Sequence, residues 1–127
     1  MPTSLFTYGT LMPADPAAAI AGGWVADAVR GRLYNFGPYP GLVDVDDPDA
    51  SWVDGMTCST ISDDLLRRLD LYEGVDEGLY ERLAVTTRSG RSAWVYVYVR
   101  PLPQGAQGPL TRWEGPRIGL GPISSPE

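Results

Sequence analysis

The chain has no histidine and no lysine, because all 10 of its basic side chains are arginine. Without histidine, Ser-His-Asp or Cys-His catalysis, histidine-bound zinc and an imidazole proton shuttle are all excluded. Without lysine, Schiff-base chemistry and phosphate binding by a P-loop are excluded as well. Any acid–base chemistry must therefore come from carboxylates, arginine, tyrosine or the backbone.

Cysteine and long apolar runs are also scarce. The single cysteine, Cys58, excludes an internal disulfide framework or a clustered thiolate metal site, and its setting in GMTCSTI is typical of a small buried residue. No apolar run of about 18 residues exists, and the start MPTSLFTYG lacks the features of a signal peptide. We therefore expect a cytoplasmic protein with no metal site and no membrane-spanning segment.

Charge and length restrict the protein further. A net charge of −6 and the absence of a basic cluster argue against binding to nucleic acid or to an anionic membrane. The 127 residues, of which 43% are hydrophobic, suffice for one domain with a core of its own. We place that domain at residues 1–100. Residues 101–127 are rich in proline and glycine, and we expect a tail that packs on the domain or trails from it.

Short β-forming segments dominate the domain and predict an α+β fold with a small, mixed, barrel-like sheet. The predicted strands lie at 4–8, 24–36 with a bulge or bend at Gly31, 52–61, 80–87 and 92–100, and the stretch 36–45 is a Pro/Gly corner followed by a further short strand. Both faces of the last segment carry large apolar side chains, which indicates a strand buried on both sides.

Two short helices complete the prediction. The first is the Ala-rich stretch 13–23, which lies between a proline and a Gly-Gly pair. The second begins at Ser62, whose hydroxyl can cap the helix, and ends at Glu73-Gly74. The apolar stripe that should face the core consists of Leu65, Leu66, Leu69 and Tyr72.

Glu73 is the carboxylate that structural needs explain least. It lies at the C-terminal end of the second helix, where the helix dipole disfavours a negative charge, and Asp70, Asp76 and Glu77 add like-charge repulsion. Burial and negative neighbours both raise a carboxylate pKa, which is what a general base near neutral pH requires. An exposed glutamate at a helix end is the structural alternative.

Gly9 interrupts the first predicted strand, in the stretch LFTYGTLM. A glycine at such a point indicates either a tight turn or a close approach of the backbone to something bound. Taken alone, the sequence leaves both interpretations open.

Four segments in series resemble the gamma-glutamylcyclotransferase-like family: LFTYGTLM, GRLYNFGPYPGLV, LDLYEGVDEGLYERLAV and AWVYVY. The similarity is greatest to the AIG2-like and gamma-glutamylamine cyclotransferase branch, which carries Tyr-Gly-Thr-Leu, and it covers residues 4–100. The resemblance implies that Glu73 is the catalytic glutamate. It implies a substrate cradle made of Tyr8, Gly9, Thr10 and Leu11, and a pocket shaped further by Tyr80, Arg82 and Tyr98.

The resemblance also implies a reaction. The α-amino group of a small γ-glutamyl compound attacks its own γ-carbonyl, which closes the ring of 5-oxoproline and releases an amine or an amino acid. Such a reaction needs no cofactor and no metal. Glu73 would take the proton of the attacking amine, and backbone N–H groups of residues 9–11 would bind an anionic group of the substrate.

Three alternatives remain open from the sequence. The protein could keep this fold and bind a small acid or a partner protein without catalysis. It could act as a cyclotransferase on a γ-glutamyl intermediate bound to a carrier protein. The third alternative is a structural β-rich module, which predicts an exposed Glu73 with an ordinary pKa. The sequence indicates neither the leaving group nor the oligomeric state.

Overall fold

The structure is a computed structural model that describes residues 2–13, 15, 20 and 22–117. In these residues the chain forms one α-helix, α1 (Asp63–Tyr72), and eight strands. The strands are β1 (Ser4–Thr7), β2 (Trp24–Arg30), β3 (Arg32–Asn35), β4 (Pro40–Val43), β5 (Trp52–Cys58), β6 (Tyr80–Thr86), β7 (Ser92–Tyr98) and β8 (Gln107–Leu110). The predicted α+β class is confirmed. The helix predicted at 13–23 falls mostly on positions outside the described residues.

Five strands form a mixed sheet in the order β2-β5-β1-β7-β6. Strand β1 is central: it pairs antiparallel with β5 and parallel with β7, and all four of its residues are buried. Strand β7 is buried on both faces, as its sequence predicts, since Tyr96 packs in one core cluster and Val95 in another. A central strand with two apolar faces needs a covering layer on each side of the sheet.

The remaining strands form a second sheet in the order β4-β3-β8, so the described strands make two sheets and no single closed barrel. The bend at Gly31 separates β2 from β3 and passes the chain from the first sheet to the second. A Cβ on Gly31 would lie 2.8 Å from Leu42 Cδ1 and 3.0 Å from the carbonyl oxygen of Val43, so this bend requires glycine.

The two layers divide the core into two clusters. On one face of the large sheet, Leu66 and Leu69 of α1 pack with Leu5 and with Cys58, and burial raises the pKa of the Cys58 thiol. On the other face, the small sheet contributes residues such as Leu33 that pack with Phe6 and with β5 and β7. Alternate residues of β1 thus serve opposite clusters, as the period of a β-strand requires.

Helix α1 has the predicted boundaries. The Ser62 hydroxyl accepts a hydrogen bond from the Leu65 N–H at 3.1 Å, and Gly74, with a φ of +71°, follows the C-cap residue Glu73. The predicted core stripe is wrong at Tyr72, which is 58% exposed. Tyr72 is the last residue of the helix, and it lies at the rim of a cavity instead of in the core.

Strand β8 was not predicted. It pairs with β3, and beyond it the buried Trp113 packs in the core cluster under the small sheet, where its indole N–H donates to the Pro116 carbonyl. The segment QGPL has four exposed residues and a proline, so it carries no alternation of apolar and polar side chains from which a strand could be predicted.

Candidate active site

The candidate site lies at one edge of the large sheet, where β1, β7 and the helix end and β6 begins. Strands β1 and β7 are parallel, with Leu5 opposite Trp94, so their C-terminal ends meet at this edge. Strand β6 starts here, because Tyr80 lies opposite Tyr98. A cavity of about 420 Å³ opens at this edge, between the strand ends, the end of α1 and the start of β4.

Seven of the eight residues predicted for the site line this cavity: Tyr8, Gly9, Thr10, Leu11, Glu73, Tyr80 and Tyr98. They come from the loop after β1, the end of α1, the start of β6 and the end of β7. Segments that are more than sixty residues apart in the sequence are therefore brought together by the pairing of β1 with β7 and by the packing of α1.

The loop after β1 forms a tight turn at Gly9. The Met12 N–H donates to the Gly9 carbonyl at 2.9 Å, which leaves Thr10 and Leu11 as the central residues of the turn. Within the described residues, the N–H groups of Thr10 and Leu11 have no hydrogen-bond acceptor. Both residues line the cavity, so an anionic group of a ligand bound there would lie near two N–H groups that lack an acceptor within the described part of the protein.

Glu73 is the C-cap residue of α1, and its backbone N–H donates to the Leu69 carbonyl at 2.8 Å. Its side chain is partly buried in the cavity wall, and this burial raises the pKa of Glu73 to about 7. A purely structural role for Glu73 predicts an exposed side chain with an ordinary pKa. The structure instead gives a partly buried side chain with a raised pKa. Burial accounts for the shift, whereas the like-charge repulsion expected from Asp70, Asp76 and Glu77 does not contribute.

Three tyrosines of the cavity wall donate their hydroxyl protons to fixed acceptors of the protein. Tyr8 donates to the Tyr96 carbonyl at 2.7 Å, Tyr80 to the Pro40 carbonyl at 2.8 Å, and Tyr96 to the Asp70 carboxylate at 2.7 Å. Burial, followed by the charges around them, raises the pKa of all three, so they stay neutral. Their oxygens can therefore meet a ligand as hydrogen-bond acceptors.

An aromatic wall closes another side of the cavity. The Tyr98 ring lies 4.8 Å from the Phe36 ring and 5.4 Å from the Tyr80 ring, centroid to centroid. At the rim, Tyr39 and Tyr72 are 44% and 58% exposed. Glu73 is the one charged side chain among the described residues that line the cavity.

Arg82, which the family resemblance places at the pocket, does not line this cavity. Its Nε lies 2.8 Å from Asp70 Oδ1 and its Nη2 3.1 Å from Asp70 Oδ2, while its guanidinium stacks 4.4 Å from the centre of the Trp94 ring. The ion pair with Asp70 directs the guanidinium toward α1 and away from the cavity. Arg82 is therefore adjacent to the site without facing it.

Eight of the described residues that line the cavity were missed: Phe6, Thr7, Pro38, Tyr39, Pro40, Tyr72, Leu79 and Tyr96. One signal could have found Tyr96, because alternation in β7 places it on the same face as Tyr98. That pattern favours the core equally well, and Tyr96 is indeed buried.

The described residues offer no site of two other kinds. Among them, no group of three or more histidine, cysteine, aspartate or glutamate side chains is placed to hold a metal ion. Nor, in the same part of the chain, is any helix long and apolar enough to cross a membrane.

These features define a class of protein: an α+β domain with a tyrosine-walled cavity, lined by one partly buried carboxylate and by a turn whose central N–H groups have no acceptor among the described residues. The sequence model of the family described as "Gamma-glutamyl cyclotransferase, AIG2-like" matches residues 5–115, and the chain belongs to this family. Family membership supports a cyclotransferase-type enzymatic function in general terms. A search of curated proteins gave no match.

Solved structures of similar fold come from distant organisms. An AIG2-like protein from Mus musculus superposes with a TM-score of 0.62 at 21% identity, with 80% of each chain covered. The protein ytfP from Escherichia coli has a TM-score of 0.59 at 28% identity, over 86% of this chain and 92% of that one. An uncharacterized protein from Pyrococcus horikoshii has a TM-score of 0.56 at 19% identity, over 79% and 81%. The mouse and Pyrococcus likenesses concern the fold alone.

Proposed function

We propose that the protein is a γ-glutamyl cyclotransferase that acts on a small γ-glutamyl compound. The α-amino nitrogen of the substrate forms a bond to its own γ-carbonyl carbon, and the bond from that carbon to the leaving nitrogen breaks. The products are 5-oxoproline and an amine or amino acid. One observation carries the proposal: a carboxylate whose pKa burial raises to about 7 lines the same cavity as the central residues of the Gly9–Met12 turn.

Glu73 is the proposed general base. The α-amine of the substrate is mostly protonated at neutral pH and cannot attack until it loses a proton. An ordinary glutamate, with a pKa of about 4.3, is a weak base, whereas a pKa near the working pH combines ionisation with useful basicity. The proton that Glu73 accepts then passes to the leaving nitrogen as its bond to the γ-carbon breaks. The ring nitrogen still carries one proton too many, and it gives this proton to the departing amine through the regenerated carboxylate.

The turn after β1 is the proposed anion site. The substrate has an α-carboxylate, and its γ-carbonyl oxygen gains negative charge as the ring closes. No cationic side chain is among the described lining residues, so the N–H groups of Thr10 and Leu11 are the donors best placed for either group. Preorganised N–H donors of this kind stabilise a developing oxyanion strongly in a site that excludes water.

The shape of the cavity supplies the remaining requirement. A γ-glutamyl chain is flexible, and ring closure needs its amine and its γ-carbonyl to be held in contact. The rings of Tyr80 and Tyr98 form a continuous wall along one side of the cavity, and holding reacting groups in this way can lower a barrier by several kcal/mol, up to about 11. The leaving group would extend past Tyr39 and Tyr72 at the exposed rim.

The test is release of 5-oxoproline from γ-glutamyl dipeptides, γ-glutamyl-lysine and γ-glutamyl alkylamines. Wild type should release it from part of this panel, Glu73→Gln should be inactive, and Glu77→Gln should retain wild-type activity. Glu77 is the matched control, because it is an exposed carboxylate in the same turn region and does not line the cavity. Full activity of Glu73→Gln would refute the role of Glu73. Inactivity of all three proteins would favour a carrier-bound substrate or a binding protein.

A further inference from the structure

A chain of polar contacts connects Arg82, outside the cavity, to the cavity wall. Arg82 binds both carboxylate oxygens of Asp70, at 2.8 and 3.1 Å, and Tyr96 donates its hydroxyl proton to the same Oδ1 atom at 2.7 Å. Three elements meet in this chain, since Arg82 belongs to β6, Asp70 to α1 and Tyr96 to β7. Tyr96 is the member that lines the cavity.

The protonation states of Asp70 and Tyr96, two members of this chain of polar contacts, are fixed. Burial acts to raise the pKa of Asp70, but the hydrogen bonds from Arg82 and Tyr96 outweigh it and lower this pKa overall, so Asp70 stays ionised. Burial and the neighbouring Asp70 raise the pKa of Tyr96, so the phenol stays neutral. The Tyr96 hydroxyl has two acceptors in reach, Asp70 Oδ1 at 2.7 Å and the Leu66 carbonyl at 3.4 Å, and its proton goes to the nearer and charged one. The lone pairs of the same oxygen remain able to accept.

The chain of polar contacts also fixes the end of α1. Asp70 lies in the last turn of the helix, three residues before Glu73, at a position where the helix dipole disfavours a carboxylate. Its pairing with Arg82 compensates that cost and ties the last turn to the large sheet. The Tyr96 carbonyl in turn accepts from the Tyr8 hydroxyl at 2.7 Å, so the tie continues to the loop after β1.

We propose that Arg82 and Asp70 are positioning residues, which orient the Tyr96 hydroxyl so that its oxygen and the Glu73 carboxylate accept hydrogen bonds from the same substrate ammonium group. This inference rests on the proposed function. It assigns the binding of the α-ammonium group to Tyr96 and Glu73, and leaves the N–H groups of the β1 turn for an anionic group of the substrate. Proton transfer to Glu73 would start from this bound geometry.

The decisive measurement compares two inhibitors that differ only in the amino group. In both, a sulfonamide replaces the γ-amide of a γ-glutamyl ethylamide, so neither can form 5-oxoproline; one keeps the α-amino group and the other lacks it. Tyr96→Phe removes the accepting oxygen and keeps the ring. It should weaken binding of the amino inhibitor about 10- to 100-fold and leave binding of the deamino inhibitor unchanged. Equal effects on both inhibitors, or no effect on either, would overturn the proposal for Tyr96.

Asp70→Asn tests the positioning role. Asparagine keeps the shape of the side chain but cannot form the charged pair with Arg82, so the orientation of Tyr96 should relax. We expect the same selective loss for the amino inhibitor, smaller than in Tyr96→Phe, and little further loss in the double variant because both changes act through one hydroxyl. A loss of thermal stability in Asp70→Asn, with an unchanged ratio between the binding constants of the amino and deamino inhibitors, would show that the ion pair is only structural.

Asp64→Asn is the matched control. It breaks an exposed ion pair with Arg67 on the same helix, far from the cavity lining, and should change neither inhibitor constant. Because the inhibitors do not react, their binding also separates this inference from the proposed function. Selective loss in Tyr96→Phe together with full activity of Glu73→Gln would retain the ammonium site and refute the general base.

Discussion

The ring of Pro40 occupies the space that a side chain on Gly9 would need. A Cβ built on Gly9 would lie 3.0 Å from Pro40 Cδ and closer still to Cγ. Glycine at this position is therefore required by the close approach of β4, and the turn closed by the Met12 N–H follows directly after it. Since the Pro40 carbonyl accepts from the Tyr80 hydroxyl, this contact also sets the distance between two walls of the cavity.

We expect Gly9→Ala to destabilise the fold and to lower activity, because the added methyl group must displace Pro40. Overpacking of this kind typically costs about 1–3 kcal/mol in the free energy of unfolding. Urea denaturation and kcat/KM for 5-oxoproline release measure the two effects. Pro40→Ala removes the colliding atoms, so the double variant should recover part of the stability lost in Gly9→Ala. Additive losses in the double variant would contradict the assigned contact.

The pH dependence of activity should report the raised pKa of Glu73. Only the ionised carboxylate can accept the proton of the substrate amine, so kcat/KM should rise with pH and pass an inflection near 7, the pKa to which burial raises Glu73. The profile should be recorded from about pH 5 to about pH 9, with a substrate present below its KM. A kcat/KM that stays level from about pH 5 to about pH 9 would contradict a base whose pKa burial raises to about 7.

The same shift has a cost in stability. The folded-state pKa of Glu73 lies above its unfolded value, so the unfolded chain releases this proton more readily, and the protein loses stability as the pH rises from about 4.5 to about 7. The loss should approach about 3 kcal/mol above pH 7. Glu73→Gln cannot ionise, so it should be more stable than wild type at pH 8 and should lose that advantage at pH 4.5. Chemical denaturation at both pH values tests this, and a constant difference would contradict it.

Local signals account for the features around the candidate site whose geometry the sequence predicts. The cap at Ser62 and the glycine at position 74 fix the ends of α1, and with them the placement of Glu73 at a helix C-terminus. The hydrogen bond that closes the turn at Gly9 is also local, because it comes from Met12, although the need for glycine there comes from Pro40 in β4. Where the residues that determine the geometry lie within a few positions of one another, the sequence displays cause and effect together.

The parts that were missed depend on partners distant in the sequence. Arg82 was expected at the pocket, and nothing in its neighbourhood reveals that Asp70, 12 residues earlier, binds its guanidinium. Tyr96 alternates with valines as a core residue does, and its contact with Asp70 spans 26 residues. Strand β8 is defined only by its pairing with β3, since its own four residues are all exposed. Tertiary pairing, which periodicity cannot report, decides all three.

The charge of the cavity predicts which leaving groups are accepted. Because no cationic side chain is among the described lining residues and Glu73 is anionic there, a carboxylate close to the scissile bond meets repulsion without a partner. We therefore expect γ-glutamyl-alaninamide to be turned over more efficiently than γ-glutamyl-alanine, by about tenfold in kcat/KM, which corresponds to about 1.4 kcal/mol. The two substrates have the same shape and differ in one charge, so coupled measurement of 5-oxoproline gives the ratio directly. Tyr72→Arg places a cation at the exposed rim and should reduce the ratio of kcat/KM for the amide to kcat/KM for the acid. A preference of wild type for γ-glutamyl-alanine would show that a cation from another part of the protein reaches the substrate.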